Sequence, residues 1–397
     1  MLAFMIPLLL YLAAAYLFRP EKINLKVKRS LSSDRVLEGS VIIIRIEIIN
    51  EGGYLEELAL QDLLPKPLYA IDGSAERLVS LEAGETLHWQ YTLKPSRGFY
   101  FFRGVKAVVR DHSGLFTRQV ILPVEDRLVI LPRFHRLKPI SIRPRRTRGY
   151  SGFIPSRTGG AGVDFFGVRE YQQGDTPRLI NWKATARHPR SIFTNEFELE
   201  RITDVGLVLD VRWRCYFRRK EEELFENAVS ATAALAETFL SSGNRVGMFI
   251  YGRVLDWTFP GYGNIQKERI LQALAKARIS DDSVFDNLEY LPTRLFPSHS
   301  QLVFISPLVR DDIKTLLQIR ARGYEILVIS PDPVRFEKKG LESGPEYQLG
   351  HRIANMERVL MLREFQKVGV KILNWDVDIP FHHLTSSRFA RETMWRI

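Results

Sequence analysis

The sequence predicts a chain of mixed class, α/β plus all-β: an N-terminal transmembrane helix, an antiparallel β-sandwich and then a doubly wound α/β domain. Three observations lead to this. An uncharged apolar stretch opens the chain, short strand patterns follow it, and apolar strands then alternate with amphipathic helices. With 397 residues, 45% of them apolar and 26% charged, the chain is long enough for several folded cores and differs from disordered sequences.

Residues 1–20 are predicted to form a membrane anchor. The stretch LAFMIPLLLYLAAAYLF carries no charge, and as a helix it reaches roughly 25 Å, close to the thickness of a hydrocarbon core. Five basic residues follow at once: Arg19, Lys22, Lys26, Lys28 and Arg29. The positive-inside rule therefore favours a single pass through the cell membrane, with the bulk of the chain in the cytoplasm. The alternative is a signal peptide cleaved near residues 13–15, against which the missing basic leader argues.

Residues 21–134 are predicted to form the β-sandwich. INLKVKR alternates in polarity, and VIIIRIEIIN is a β-branched run that ends at the turn residues 50–53. HWQYTL, FYFFRGVKAVVRD and RLVILP follow at intervals of about ten residues, which is typical of an antiparallel sandwich. Such a domain organises or binds other proteins, or it serves as a spacer.

Residues 135–200 are predicted to combine a basic linker with a distinctive charged segment. Positions 128–163 contain no acid but many basic residues: Arg133, Arg136, Lys138, Arg143, Arg145, Arg146, Arg148 and Arg157. With a net charge of +11 and an anchored chain, residues 133–157 are predicted to contact anionic lipid. A solvated connector is the alternative. No nucleic acid is expected, because the run lacks a recognition motif and a regular pattern of stacking aromatics.

The charged segment runs from Asp164 to Arg187, DFFGVREYQQGDTPRLINWKATAR. Asp175 suits the N-cap of a helix from about Thr176 to Ala186, which would place Arg178 and Trp182 on one face. The side chains of interest here are Arg169, Tyr171, Asp175, Arg178, Trp182, Lys183 and Arg187.

Two interpretations of this segment stay open. In the first it is a structural clasp, in which Trp182 packs at a domain junction and the arginines pair with Glu196 or Glu198. In the second it is a surface that binds a partner.

Residues 201–397 are predicted to form the α/β domain. Strands without alternation are predicted at 205–211, 245–252, 301–308, 324–330 and over VKILNW; helices are predicted at 220–240 and 266–277, before Gly323 and at about 353–368. This pattern indicates a parallel sheet that is covered on both faces. Such sheets bind ligands at the carboxyl ends of their strands, where Asp210, Ser306, Ser330 and Asp332 stand.

The usual motifs of catalysis and cofactor binding are missing from the sequence. Neither GxGxxG nor GxxxxGK[ST] follows a strand, and His382–His383 lacks the spacing of a zinc site. Cys215, the single cysteine, has no local signature of a nucleophile and is predicted to be a small packed thiol. We therefore expect no enzyme activity, no cofactor and no bound metal.

RGFYFFRG, DHSGLF, the segment GVDFFGVREYQQGDTPRLINWKATAR and an apolar strand ending in Asp210 resemble the domain of unknown function 58 family over nearly the whole chain. The resemblance implies a membrane anchor, a sandwich and a von Willebrand A-like α/β domain. It also implies a scaffold or adaptor that works with MoxR-type AAA+ ATPases in the assembly or maturation of protein complexes. Members of the family often begin with two transmembrane helices, whereas only one is predicted here.

Von Willebrand A domains often bind Mg²⁺ through an Asp-x-Ser-x-Ser loop, and here only Asp210 matches. Arg212 and Arg214 stand at the serine positions, so a degenerate site is expected because two cations repel a divalent metal. Arg212, Trp213 and Arg214 are then predicted to contact a partner. Two other functions stay open: a hydrolase that uses the Arg/Asp-rich segment, and an extracytoplasmic adhesion or envelope protein.

Overall fold

The computed structural model of the chain describes Tyr11, Ala13 and residues 23–110, 117–138, 148–154, 159–188, 190–198, 201–202, 204–216, 221–252, 256–279, 295–297, 300–338 and 344–386. It confirms a mixed α/β class with much sheet. Among these residues no helix combines the length and the apolar character that crossing a bilayer requires. The predicted anchor, residues 1–20, lies outside the described part apart from its two single residues.

The chain divides into two compact units, the first of which ends at Arg133. The described part of this first unit is built from strands: β1 (Leu25–Leu31), β2 (Arg35–Leu37), β3 (Ile42–Asn50), β4 (Leu55–Asp62), β5 (Ala70–Asp72), β6 (Glu76–Leu81), β7 (Thr86–Leu93), β8 (Gly98–Arg110) and β9 (Thr117–Leu131). Several strands alternate between buried and less buried positions. In β3 the buried positions are those of Ile42, Ile44, Ile46 and Ile48.

The nine strands form two sheets, ordered β1-β3-β7-β5 and β2-β9-β8-β4-β6. Neighbouring strands are antiparallel, as the sequence predicts, except that β2 runs parallel to β9. Side chains from both sheets share one core, with Ile44, Trp89, Leu58 and Phe102 among its members. Burial of this apolar surface holds the first unit together.

The second unit begins at Phe134. Its first described elements are β10 (Arg148–Ile154), β11 (Gly159–Glu170), a single 3-10 turn (Pro177–Leu179), α1 (Trp182–Arg187), β12 (Phe193–Glu198) and β13 (Arg201–Ile202). β10 pairs with β13 and β11 pairs with β12, both antiparallel. Residues 148–154 are therefore strand rather than linker, because their backbone finds hydrogen-bond partners later in the chain.

The rest of the unit alternates strand and helix. Its elements are β14 (Asp204–Asp210), α2 (Glu221–Ser241), β15 (Arg245–Tyr251), β16 (Asp256–Gly261), α3 (Gly263–Lys276), β17 (Gln301–Ile305), α4 (Asp312–Ala321), β18 (Glu325–Pro331), α5 (Pro333–Lys338), α6 (Pro345–Lys367), β19 (Lys371–Trp375) and α7 (Phe381–Ser386). A six-stranded sheet has the order β16-β15-β14-β17-β18-β19. All neighbours are parallel except the edge strand β16.

Both faces of this sheet are covered, since β14, β17 and β18 are buried at almost every consecutive position. Two glycines admit an aromatic ring against one face. A Cβ on Gly206 or Gly247 would lie within 3.0 Å of the Phe296 ring. The order of the strands reverses between β14 and β17, so the ligand-binding edge of a doubly wound sheet lies between their carboxyl ends.

Candidate functional site

The carboxyl edge of β14 and β17 is occupied by a buried group of charged and polar side chains. We call it the Arg212 cluster; it comprises Asp210, Arg212, Cys215, Ser306 and Asp312. Asp210 ends β14, Ser306 follows β17, and Asp312 begins α4. The neighbouring strand ends bring Asp210 and Ser306 together, since the Ser306 hydroxyl donates a hydrogen bond of 2.6 Å to Oδ2 of Asp210.

The Asp210 carboxylate is engaged on both oxygens by protein donors. Its Oδ1 accepts bonds of 3.0 Å each from the backbone N–H and from Nε of Arg212. Its Oδ2 accepts bonds from Nη2 of Arg212 at 2.7 Å and from the thiol of Cys215 at 3.1 Å, besides the Ser306 bond. The guanidinium therefore lies where a cation bound to Asp210 would lie.

Asp312 completes the charge pairing from the opposite side. Nη1 and Nη2 of Arg212 each donate to an oxygen of Asp312 at 2.9 Å, and the arginine carbon lies 5.2 Å from the ring centre of Tyr251. Burial would raise the pKa of Asp210, but the charge of Arg212 and bonds from Arg212 and Ser306 lower it. Burial raises the pKa of Asp312 more than Arg212 lowers it.

This geometry corrects the prediction that Arg212 contacts a partner. Arg212 is only 2% exposed, because two carboxylates hold its guanidinium inside the domain. Trp213 and Arg214 lie further out, and Arg214 approaches the exposed Asp311 at 3.7 Å. Among the described residues no group of three or more His, Cys, Asp and Glu side chains is arranged to hold a metal ion.

The loop after β17 is strained beside this cluster. Leu308 has a φ of +61°, in the left-handed region that non-glycine residues rarely adopt, and Ser306 Oγ accepts its backbone N–H at 3.0 Å. Such a conformation costs about 1–3 kcal/mol and persists only where the surroundings fix it. The hydroxyl of Ser306 therefore links Asp210 to the shape of this loop.

Cys215 is buried, as predicted. Burial and the charge of Asp210 raise the pKa of its thiol well above the usual value, so the reactive thiolate is disfavoured. We expect that the folded chain at pH 8 is not alkylated by iodoacetamide within the time that a surface cysteine needs. The same chain in denaturant should be alkylated fully, as mass spectrometry would show. Rapid labelling of the folded chain would contradict this burial.

A second buried arginine lies at the same edge of the sheet. Arg358 of α6 donates from Nη2 to Ser330 Oγ and to Asn374 Oδ1 at 2.9 Å each, and from Nη1 to the Pro307 carbonyl at 3.1 Å. Its Nε lies 3.2 Å from Oδ1 of Asp332. We call these side chains the Arg358 cluster; they fasten α6 to the strand ends.

The charged segment 164–187 is organised by one bidentate ion pair. Arg169 donates from Nη1 and Nη2 to the two oxygens of Asp175 at 2.8 and 2.7 Å. Asp175 also accepts the Gln172 backbone N–H at 2.9 Å, which closes the turn at Gly174. The predicted pairing of Arg169 with Glu196 is present at 3.6 Å, and the Tyr171 hydroxyl donates to the Asp175 carbonyl at 3.3 Å.

The predicted helix of residues 176–186 is wrong in its start and in its cap. A 3-10 turn occupies residues 177–179, and α1 begins only at Trp182. Asn181 is the N-cap, since its Oδ1 accepts the Ala184 backbone N–H at 2.9 Å. Asp175 cannot cap the helix because Arg169 and Gln172 already bind its carboxylate.

The outer side of this segment is a basic and aromatic surface. Trp182 is 70% exposed, and Arg178, Lys183 and Arg187 are exposed as well. We call these four residues the signature surface. Trp182 therefore packs little against the rest of its own unit, while the ion pair of Arg169 and Asp175 holds the turn that precedes it. The clasp and the partner-binding interpretation both stay open.

Asp175 is poorly suited to general acid or base catalysis. Hydrogen bonds from Arg169 and from the Gln172 backbone lower the pKa of its carboxyl group. Catalytic carboxyl groups need a pKa near the working pH, which means a shift in the other direction. The geometry thus gives the hydrolase alternative no support at this residue.

Two buried residues were missed by reasoning from the sequence. In the sequence Asp312 resembles an acidic residue in the first turn of a helix, and Arg358 is one of several arginines on an amphipathic helix. The sequence places four polar residues at the strand ends, each of which needs a partner if buried. The available signal is the set of charged residues on the helices that follow these strands, since they are the nearest candidates to pair with the strand ends.

The fold and these sites define an α/β domain whose strand ends are closed by buried arginines and whose signature segment presents a basic, aromatic surface. Residues 167–341 match the family described as "Protein of unknown function DUF58". The match covers less than half of the chain and agrees, over those residues, with the resemblance that the sequence shows.

An uncharacterized protein of Bacillus subtilis (strain 168), YeaD, is 28% identical over 200 residues, which are 49% of this chain and 48% of YeaD. The chain therefore spans about half the length of this relative. Solved structures with partial likeness include the cupredoxin domain of amoB from Nitrosocaldus yellowstonii (TM-score 0.21, 10% identity, 28% of this chain and 88% of that one). A FixG-related protein from Vibrio parahaemolyticus has a TM-score of 0.19 and 17% identity over 28% of this chain and 98% of its own.

Proposed function

We propose that the chain is a membrane-anchored, non-enzymatic scaffold or adaptor that recruits a MoxR-type AAA+ ATPase to the assembly or maturation of protein complexes. The observation that carries this proposal is the exposure of Trp182 beside Arg178, Lys183 and Arg187. Tryptophan and arginine are the residues that most often dominate the energy of protein interfaces. The ATPase itself is what the family resemblance implies.

The helix α1, which carries Trp182, Lys183 and Arg187, is held in place by hydrogen bonds, which favours a binding role. The cap on α1 comes from Asn181, whose Nδ2 also donates to Asn195 of β12 at 2.7 Å. Thr185 Oγ1 accepts the backbone N–H of Phe193 at 3.0 Å. A helix whose backbone is already held in place loses less conformational entropy when a partner binds.

The α/β domain supports a scaffold for a second reason. We infer that it is von Willebrand A-like, with Asp210 at the position of the metal loop, and that Arg212 replaces the metal with an internal cation. The carboxylate that a substrate or metal would use is engaged by Arg212, Ser306 and Cys215. Binding through an outer surface is compatible with this closed edge, whereas chemistry at Asp210 is not.

The membrane part of the proposal rests on the apolar residues 1–20 and on the basic run that includes the exposed Arg133, Arg136 and Lys138. Arg143, Arg145, Arg146 and Arg157 lie outside the described residues. We expect the α/β domain to resist added protease in sealed right-side-out vesicles and to be digested once the vesicles are opened. Digestion of this domain in sealed vesicles would favour the extracytoplasmic alternative.

Affinity capture tests the ATPase partnership. The full chain, tagged at its C-terminus, would be purified from gently solubilised membranes in the presence of a non-hydrolysable ATP analogue. We expect a MoxR-type AAA+ ATPase among the captured proteins, with recovery that falls when ADP replaces the analogue. Repeated capture without any AAA+ ATPase would contradict the proposed function.

A further inference from the structure

Helix α6, Pro345–Lys367, presents an apolar row on its outer side. Four side chains of this row are half exposed or more: Leu349 58%, Ile353 50%, Met356 63% and Leu360 52%. We call them the α6 seam. Their spacings of four, three and four residues are those of the a and d positions of a coiled coil. A row of this kind in water indicates a surface that a partner covers.

The opposite side of α6 is fixed to its own domain. Three residues are buried there: Arg358, Leu362 and Phe365. The guanidinium of Arg358 donates to Ser330, to Asn374 and to the Pro307 carbonyl. Rotating the helix to bury the seam would break these contacts and leave a buried charge unpaired, which is costly. The two faces of α6 therefore have separate roles, and the outer one needs a partner from elsewhere.

The charges beside the seam indicate what this partner is. If Ile353 and Leu360 are a positions, Arg352 stands at g and Glu357 at the following e, five residues later. In a parallel two-stranded coiled coil, each g residue lies next to the e residue five positions later on the other helix. Two copies of α6 in parallel would thus form two Arg352–Glu357 pairs, related by symmetry.

An antiparallel arrangement fits less well. In the antiparallel register that pairs Leu349 with Leu360 and Ile353 with Met356, Arg352 flanks Val359 and Glu357 flanks Gly350 of the other helix, so no opposite charges meet. The parallel arrangement adds two attractive charge pairs that this register lacks. The pattern of charge therefore selects a second copy of this chain in parallel register.

We propose that α6 is the interface of a homodimer, in which the seams of two copies pack in parallel and in register about a two-fold axis. The contact is isologous, so one helix supplies both halves of every pair. The seam covers only about two heptads, and an interface of this size is typical of weak, reversible association. This inference is independent of the ATPase, because it concerns the purified chain alone.

Disulfide trapping tests the register directly. Leu349→Cys and Leu360→Cys would be made separately in the full chain, purified in detergent and exposed to a mild oxidant. In the parallel dimer each position faces itself, so both variants should form disulfide-linked dimers within minutes. Cys215 is buried and should contribute no background. Gln318→Cys, on an exposed position of α4, is the matched control and should stay monomeric.

The trapping experiment has clear contrary outcomes. If neither Leu349→Cys nor Leu360→Cys links to itself while the two variants link when mixed, the helices are antiparallel and the proposal is wrong. If no linkage exceeds that of the Gln318→Cys control, the seam is not a dimer interface. Coverage by another protein or by another segment of the same chain would give this second outcome.

Exchange of the two charges supplies a second test without cysteine. Arg352→Glu and Glu357→Arg should each raise the dimer dissociation constant about threefold to tenfold, measured by sedimentation of the full chain in detergent. The double variant restores opposite charges across the interface and should return the constant to within about twofold of wild type. If the dissociation constant of the double variant is raised by the product of the two single effects, the parallel pairing is wrong.

Discussion

Replacing Arg212 with methionine is expected to lower the free energy of unfolding of the α/β unit by about 3–5 kcal/mol. The substitution keeps much of the side-chain volume but removes the cation between Asp210 and Asp312, both of which are buried. Two carboxylates would then remain close together without a counter-charge. The full chain would be unfolded with denaturant. Hydrogen exchange of the backbone amides in β14 and β17 then reports the loss for the α/β unit alone.

Arg214→Met is the matched control for this experiment. Arg214 is two residues away, but it is partly exposed and approaches an exposed carboxylate at 3.7 Å. Surface pairs of this kind contribute about 0–1 kcal/mol. Equal effects of the two substitutions would show that Arg212 does not hold the strand ends together.

The stability of the Arg212→Met variant should depend on pH in a new way. In the wild type the lowered pKa of Asp210 gives stability that is present above the unfolded value of 3.8 and is lost as the pH falls through the folded value. Asp312 has a raised pKa, so its contribution has the opposite sign. Without Arg212 both carboxyl groups should have raised pKa values and bind protons more readily in the folded state. The destabilisation should therefore be smaller at pH 5 than at pH 7.

Replacing Arg29 with methionine is expected to destabilise the sandwich unit by a similar amount, about 3–5 kcal/mol. The Arg29 side chain and that of Asp62 are both 0% exposed, and Arg29 donates from Nε to Asp62 Oδ2 at 3.1 Å. It also donates to the Val124 carbonyl at 2.9 Å and to Asp126 at 3.1 Å. Its removal leaves the Asp62 carboxylate buried with the Tyr91 hydroxyl as its remaining donor partner.

A second substitution shows whether the unpaired charge causes this loss. Adding Asp62→Asn to Arg29→Met removes the buried charge while keeping an acceptor for Tyr91, so part of the lost stability should return. Arg110→Met serves as the control, because its pair with Glu57 at 3.3 Å is exposed on both sides. Hydrogen exchange in β3 and β7 is the readout. A double variant less stable than Arg29→Met would contradict the charge explanation.

The sequence predicts the strands of the α/β unit well because their apolar runs are continuous and local. The identity of the strand ends follows from the same runs, so Asp210, Ser306 and Asp332 are found at the expected edge. Helix starts are less predictable. The sequence suggests a start near residue 353 for the last long helix, whereas α6 begins at Pro345, where proline is tolerated at the first position.

What the sequence cannot show is which side chain binds each polar group across the fold. Asp175 is of a residue type that favours N-cap positions. In the structure Arg169 binds its carboxylate, and Asn181 caps α1 instead. Arg212 is of a residue type that favours protein interfaces. In the structure its guanidinium is buried because it binds Asp312, which lies one hundred positions away in the sequence. Pairings over such distances depend on the folded arrangement and leave no local pattern.

The adaptor role is tested most directly by the affinity of the full chain for the AAA+ ATPase that capture identifies. Trp182→Ala should weaken this binding about tenfold or more, since an exposed tryptophan on a rigid support is a typical interface anchor. Trp257→Ala, which removes another exposed tryptophan on the edge strand β16, should change it by less than about twofold. If Trp182→Ala folds normally and binds as tightly as wild type, the signature surface does not recruit the ATPase.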